Sequence, residues 1–197
     1  LKEEDSVSIQ RAELDPKAKI LALLGENHVM SVATVRPDGW PQATLVGYVH
    51  DDLTLYFAVA RISQKLANIA LEPRISIALG HDTANRIRGL SMAAHAAEVA
   101  DLAEVKRLNA LMRDRYAERT LLWPREASSA ILRARPSVIS IIDLAKGPGE
   151  PELVEVSEEA TVHHIRNATV ASADQDASVR VSYVRPQPGA FRPGAPL

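Results

Sequence analysis

The run from His28 to Ala60, "HVMSVATVRPDGWPQATLVGYVHDDLTLYFAVA", constrains the fold more than any other part of the chain. It reads as three strands separated by two turns. Pro37-Asp38-Gly39 makes the first turn, because proline presets one dihedral and glycine accepts the left-handed one. Asp51-Asp52 marks the second. Both faces of these strands are rather apolar. Val29, Ala33 and Val35 share one side and Met30 and Val32 the other, while Leu53, Leu55, Phe57 and Val59 alternate with Thr54, Tyr56, Ala58 and Ala60. A single-layer open sheet would alternate more cleanly. The pattern predicts strands that line a barrel interior with one face and are covered by helices or a partner subunit on the other.

The flanking segments supply the rest of the barrel. "DPKAKILALLGEN" reads as a short helix, with Asp15 as cap, Pro16 in the first helical position and Gly25 near its end. Ile75–Leu79 and Leu90–Val99 are two more strands around the polar connection "GHDTANRIRG". Asp101 and Glu104 form a capping-box pattern that opens the helix "DLAEVKRLNALMRDRYAERT". "WPREASSAILRAR" is predicted as a second helix beginning near Pro124, with Pro136 leading into a last strand, "SVISIIDLA". The expectation is a mainly β (α+β) domain: an antiparallel barrel of about six strands with flanking helices, which the resemblance given below makes a split β-barrel. It spans residues 15–150, between an N-terminal extension (1–14) and a C-terminal extension (151–197). Six of the twelve prolines follow Gly147, and the short patches "TVHHIRN" and "ASVRVSYVR" there alternate like strands.

Charge and composition exclude several functions. The formal net charge of -2 over 197 residues gives no basic stripe, so no nucleic-acid partner is expected. With no cysteine, disulfides, thiolate metal sites and cysteine nucleophiles are ruled out. No apolar run reaches the roughly 20 residues that span a bilayer, and "LKEEDSVSIQ" is too acidic for a signal peptide. The expectation is a cytoplasmic protein without a membrane partner. His163-His164 read as surface residues, His95 as a satisfied, partly buried histidine and Trp123 as a packing anchor rather than a ligand, and no metal site is expected. Asn167-Ala168-Thr169 reads as a chance glycosylation match.

One local feature carries candidate chemistry. In "LYFAVARISQKLANIALEPRISIAL" a strand ends at Arg61 and a short helix opens on Ser63-Gln64-Lys65, with Pro73 stopping it. A lysine in the first helical turn opposes the helix dipole by about 0.3–1 kcal/mol. A bound anion would reverse that penalty. From these residues alone, a solvated serine cap is the better reading, since serine caps with a nearby lysine are common.

The same stretch, with the upstream "DG-x-P" hairpin, resembles the pyridoxamine 5′-phosphate oxidase-like, FMN-binding split-barrel family. The resemblance runs from about Ile20 to Val99 and includes "RPSVISIIDLAKGPGE" as a last barrel strand. It implies that Ser63 and Lys65 bind the FMN phosphate, with Gln64 where an arginine is frequent and Arg61 close enough to join them. It implies that Thr44, Leu45 and Val46 present their backbone to the isoalloxazine edge, and that Ala58 and Val59 lie beside the ribityl chain. It further implies a homodimer with the cofactor at the interface and an FMN-dependent oxidoreductase acting on a small organic molecule. Ala43 replaces an arginine, Leu90 lies near a position held by glutamine, and a C-terminal Trp-Arg-Leu-x-Arg type segment is absent, so the resemblance is to a divergent member and not to the true oxidase. Alternatives on the same barrel are a non-catalytic flavin or haem carrier and a deazaflavin-dependent reductase.

Overall fold

Nine strands and three helices form around one curled antiparallel sheet in the structure, a computed structural model that describes residues 15–83, 86–117, 128–143 and 151–165. The extension 1–14, Trp123, the sequon at Asn167 and the proline-rich end lie outside the described residues. In chain order the elements are α1 (Pro16–Glu26), β1 (Val29–Val35), β2 (Pro41–Gly47), β3 (Val49–Asp51), β4 (Thr54–Ala60) and α2 (Gln64–Leu71). There follow β5 (Arg74–Thr83), β6 (Arg86–Glu98), α3 (Leu102–Arg115), β7 (Ser129–Asp143), β8 (Glu152–Val156) and β9 (Val162–His164).

The sheet order is β2-β1-β5-β6-β7-β4-β3, with β8 on β7 and β9 on β8. It does not close, since β2 pairs only with β1 and β3 only with β4 among the described residues. The curl nevertheless brings β2 against β4. This is the antiparallel barrel that the strand pattern predicts, split as the resemblance implies, with nine described strands instead of about six. One added strand comes from a break at Tyr48, and two come from β8 and β9.

Period-two alternation decides which side chains fill the interior. Met30 and Val32 of β1, Leu55, Phe57 and Val59 of β4, Ile75, Ile77 and Leu79 of β5 and Leu90 and Met92 of β6 all point inward, where Ile20, Leu23 and Leu24 of α1 cap one opening. The second apolar face has its own cover. Val49, Tyr56, Val99 and Ile131 on the outside of the sheet pack under Leu108 and Met112 of α3. Asp101 caps that helix by accepting from the N–H groups of Ala103 and Glu104. Arg133 reinforces it, bonding Glu104 at 2.5 Å with its guanidinium 5.9 Å from the Tyr56 ring centroid.

The end of α3 explains the break at Tyr48. The Tyr48 N–H donates to the Tyr116 hydroxyl (2.7 Å), which also lies 2.5 Å from the His28 carbonyl and 2.8 Å from the Tyr48 carbonyl. A side chain here takes the place of a ladder partner. Gly47 leaves room for it: a Cβ there would sit 3.2 Å from the tyrosine ring. Next door, Arg115 donates to the carbonyls of Leu24 (3.2 Å), Gly25 (3.4 Å) and Asn27 (2.6 Å), satisfying the end of α1.

Two expectations for the segment that forms β7 need correcting. Ser129–Arg135 was expected within a helix and is the first half of β7, paired with β4 from Ala60↔Ser129 to Leu55↔Ala134. Ala130, Leu132 and Ala134 face the interior while Ile131 is buried under α3, so burial on both faces erased the strand alternation. Pro136 does not precede the strand but sits within it. The sheet tolerates it because β4 ends its pairing at Ala134, β8 begins at Val138, and the register with β6 shifts between Ala93 and Ala94. The sheet also continues past residue 150. Val154 of β8 is fully buried in the main core, and β8 and β9 belong to the same compact unit as the barrel.

Candidate functional site

β4 has β3 on one edge only over Thr54–Tyr56, so Phe57–Ala60 face the opening with no strand on that edge among the described residues, and β2 likewise along its whole length. α2 bridges this slot, packing on β1, β4 and β6. The chain enters α2 through a tight turn. The Ser63 N–H donates to Ala60 O (2.9 Å), and the Arg61 N–H donates to Ser128 O (2.9 Å). At the far end Glu72 accepts from the backbone N–H (3.0 Å), Nε (2.7 Å) and Nη2 (2.5 Å) of Arg74, which holds its carboxyl down at about 2 and fixes the step into β5.

Ser63 is the N-cap of α2, its hydroxyl accepting from the Leu66 N–H at 3.3 Å. Its own hydroxyl proton remains available to a ligand. The N–H groups of Gln64 and Lys65, first and second in the helix, have no protein acceptor among the described residues. Lys65 is half-buried, and loss of hydration lowers the pKa of its ammonium below the usual lysine range. No carboxylate of the described residues pairs with it, and the first turn of α2 contains no acid. The first turn of α2 therefore carries a half-buried cation, two N–H donors with no acceptor among the described residues, and a hydroxyl.

The other expected residues fall into distinct environments. Arg61 is engaged with Glu98 at 2.9 Å, in a pair whose side chains are 55% and 41% exposed and so weakly held. Gln64 turns back along the helix and donates to Asn68 Oδ1 at 2.9 Å. On β2, Thr44 and Val46 face inward and Leu45 outward, 76% exposed. The Thr44 hydroxyl oxygen is buried without a hydrogen-bond partner. Val59 is part of the core, and Ala58 is half-buried on the opposite face. Thus α2 gathers Ser63, Gln64 and Lys65 at one end of the slot, while Thr44, Leu45 and Val46 line its β2 edge. Leu90 is buried in the core, and Ala43 lies exposed on β2.

Sequence reasoning missed three residues of this region. Asn68 is wholly buried and donates to Thr34 Oγ1 (2.9 Å) and Gln42 Oε1 (3.1 Å). The available signal was an asparagine beside Ile69 on the face of α2 that should be apolar. The histidines lie elsewhere. His95 is exposed on β6 between Arg74 and Arg135 of the neighbouring strands, and His163 and His164 are exposed on β9. No cluster of three metal-ligating side chains occurs among the described residues.

Residues 16–143 match the family described as pyridoxamine 5′-phosphate oxidase. The chain belongs to that family. It is a divergent member, lacking the arginine and glutamine noted above. General stress protein 26 of Bacillus subtilis (strain 168) is 35% identical over 68 residues, which cover 34% of this chain and 48% of that protein, so the matched region spans about half of the curated relative. Among solved structures, an FAD-binding protein from Mesorhizobium loti aligns with a TM-score of 0.55 at 19% identity, covering 64% of this chain and 91% of that one. A haem-binding protein from Mycobacterium smegmatis aligns with a TM-score of 0.58 at 18% identity, over 71% of this chain and 57% of that one. These likenesses establish the split-barrel fold. No helix among the described residues is long and apolar enough to cross a membrane.

Proposed function

We propose that the protein binds FMN in the slot between β2, β4 and α2, as a homodimer, and uses it to oxidise or reduce a small organic molecule. The observation that carries this reading is Lys65: a half-buried cation with no carboxylate partner among the described residues, at a helix start whose first two N–H groups have no acceptor among them. Desolvating a charge without a partner is costly. A phosphate removes that cost and accepts from the helix N–H groups at the same time. The open edge of β2 supplies further polar groups, its backbone N–H and C=O.

Bound FMN would supply the electron-transfer chemistry. Ser63, the N–H groups of Gln64 and Lys65, and the Lys65 ammonium would hold its phosphate. The edge of β2 over Thr44–Val46 would orient the ring through alternating N–H and C=O groups, as it would orient a neighbouring strand. The outward faces of β5 and β6 carry small residues, Ser76, Ala78, Ala93 and Ala97, and would let a partner subunit approach closely.

Titration with FMN and with riboflavin tests this reading. Lys65→Ala is expected to weaken FMN by about tenfold or more and to leave riboflavin, which lacks the phosphate, within about twofold. Equal losses for both ligands would contradict the phosphate role. A purified protein that takes up no flavin but shows a Soret band would replace the reading with haem carriage on the same barrel.

A further inference from the structure

We propose that Asn68 is a positioning residue that makes the two ends of the slot one hydrogen-bonded unit, with Gln64 as its strut. Asn68 is 0% exposed on a helix face where Ile69 is also buried. An apolar side chain would fill that place without polar demands, whereas a buried amide costs about 1–3 kcal/mol for each unmet bond. Here both amide ends are engaged. Nδ2 donates to Thr34 Oγ1 on β1 and Gln42 Oε1 on β2, and Oδ1 accepts from Gln64 Nε2. Thr34 and Gln42 are themselves directly opposite in the β1–β2 register. One asparagine therefore joins the first turn of α2 to the strand pair whose outer member has a free edge.

On the phosphate reading above, this linkage has a specific consequence. Gln64 stands between Ser63 and Lys65, and its side chain is drawn away from the helix end toward Asn68. What remains at the helix start is the pair of N–H groups and the Lys65 ammonium. Their place is set relative to Gln42, two residues before Thr44 on the edge of β2. Donors act on a ligand only when held within about half an ångström of the productive position. Loosening the strut should therefore cost the phosphate contacts more than the ring contacts.

The test measures FMN and riboflavin affinity of the full chain for wild type, Gln64→Ala and Asn68→Ala, with thermal unfolding alongside. Both variants are expected to lower the FMN-to-riboflavin affinity ratio by about three- to tenfold while riboflavin stays within about twofold. A purely structural role for Asn68 would lower the melting temperature and weaken both ligands alike, leaving the ratio intact, and that result overturns the proposal. Gln64 is exposed, so Gln64→Ala keeps the test decisive if Asn68→Ala does not fold. A wild-type ratio near one would instead overturn the phosphate reading on which the strut depends.

Discussion

Lys65 gives up part of its hydration without gaining a carboxylate, and that fixes how pH should act on the site. Its folded-state pKa is lowered, so the folded protein holds the neutral amine more readily than the unfolded chain does. Stability therefore rises with pH from the lowered value up to the ordinary lysine value, the window over which the buried charge is relieved. A bound phosphate raises the pKa again, so binding takes up a proton in that window. Above pH of about 7 the phosphate itself is already doubly ionised. FMN affinity is then expected to fall as pH climbs through the lowered lysine pKa, and to stay flat in Lys65→Arg, whose guanidinium does not titrate there. A flat profile in the wild type, measured by fluorescence titration across alkaline pH, would remove Lys65 from the phosphate site.

At the scale of elements, the junction of α3 with the β2–β3 break shows what one hydroxyl holds together. Tyr116→Phe takes the acceptor from the buried Tyr48 N–H and removes the one hydroxyl proton shared by the Tyr48 and His28 carbonyls. The expected loss is about 1–3 kcal/mol in urea unfolding, with an unchanged m-value. Elements of this kind were legible only where the signal was local. The Pro37-Asp38-Gly39 turn, where Gly39 has a φ of 84°, the Ser63 and Asp101 caps and the start of α1 at Pro16 all follow from a few adjacent residues. The break at Tyr48 depends on a tyrosine 68 positions away, and the strand character of Ser129–Arg135 depends on burial against both β4 and α3. Neither partner is visible within a sequence window. The site divides in the same way: Ser63 and Lys65 could be read from their cap position, but the network of Asn68 with Thr34 and Gln42 exists only once β1, β2 and α2 have met.

The whole molecule leaves several large apolar side chains uncovered near the slot: Trp40 is 70% exposed, Leu45 76% and Ile62 98%. Leu45 is on the free strand β2 and Ile62 in the turn that enters α2, where the proposed second subunit would cover them. Sedimentation is expected to give twice the chain mass, and Leu45→Asp to shift it toward the monomer with weaker FMN uptake. A wild-type monomer that binds FMN fully would separate the cofactor from the dimer. The order of strands has a further effect, on how the chain acquires this shape during synthesis. Among the described residues Phe57–Ala60 of β4 pair only with β7, and two described helices and two described strands intervene along the chain. Leu55, Phe57 and Val59 thus leave the ribosome long before their neighbours Ala130, Leu132 and Ala134 exist. Such non-local pairing is slow and leaves apolar strands open to wrong partners in the meantime. A chain released before Ser129 presents half-made strands, and the sheet can complete its curl only after β7 has emerged.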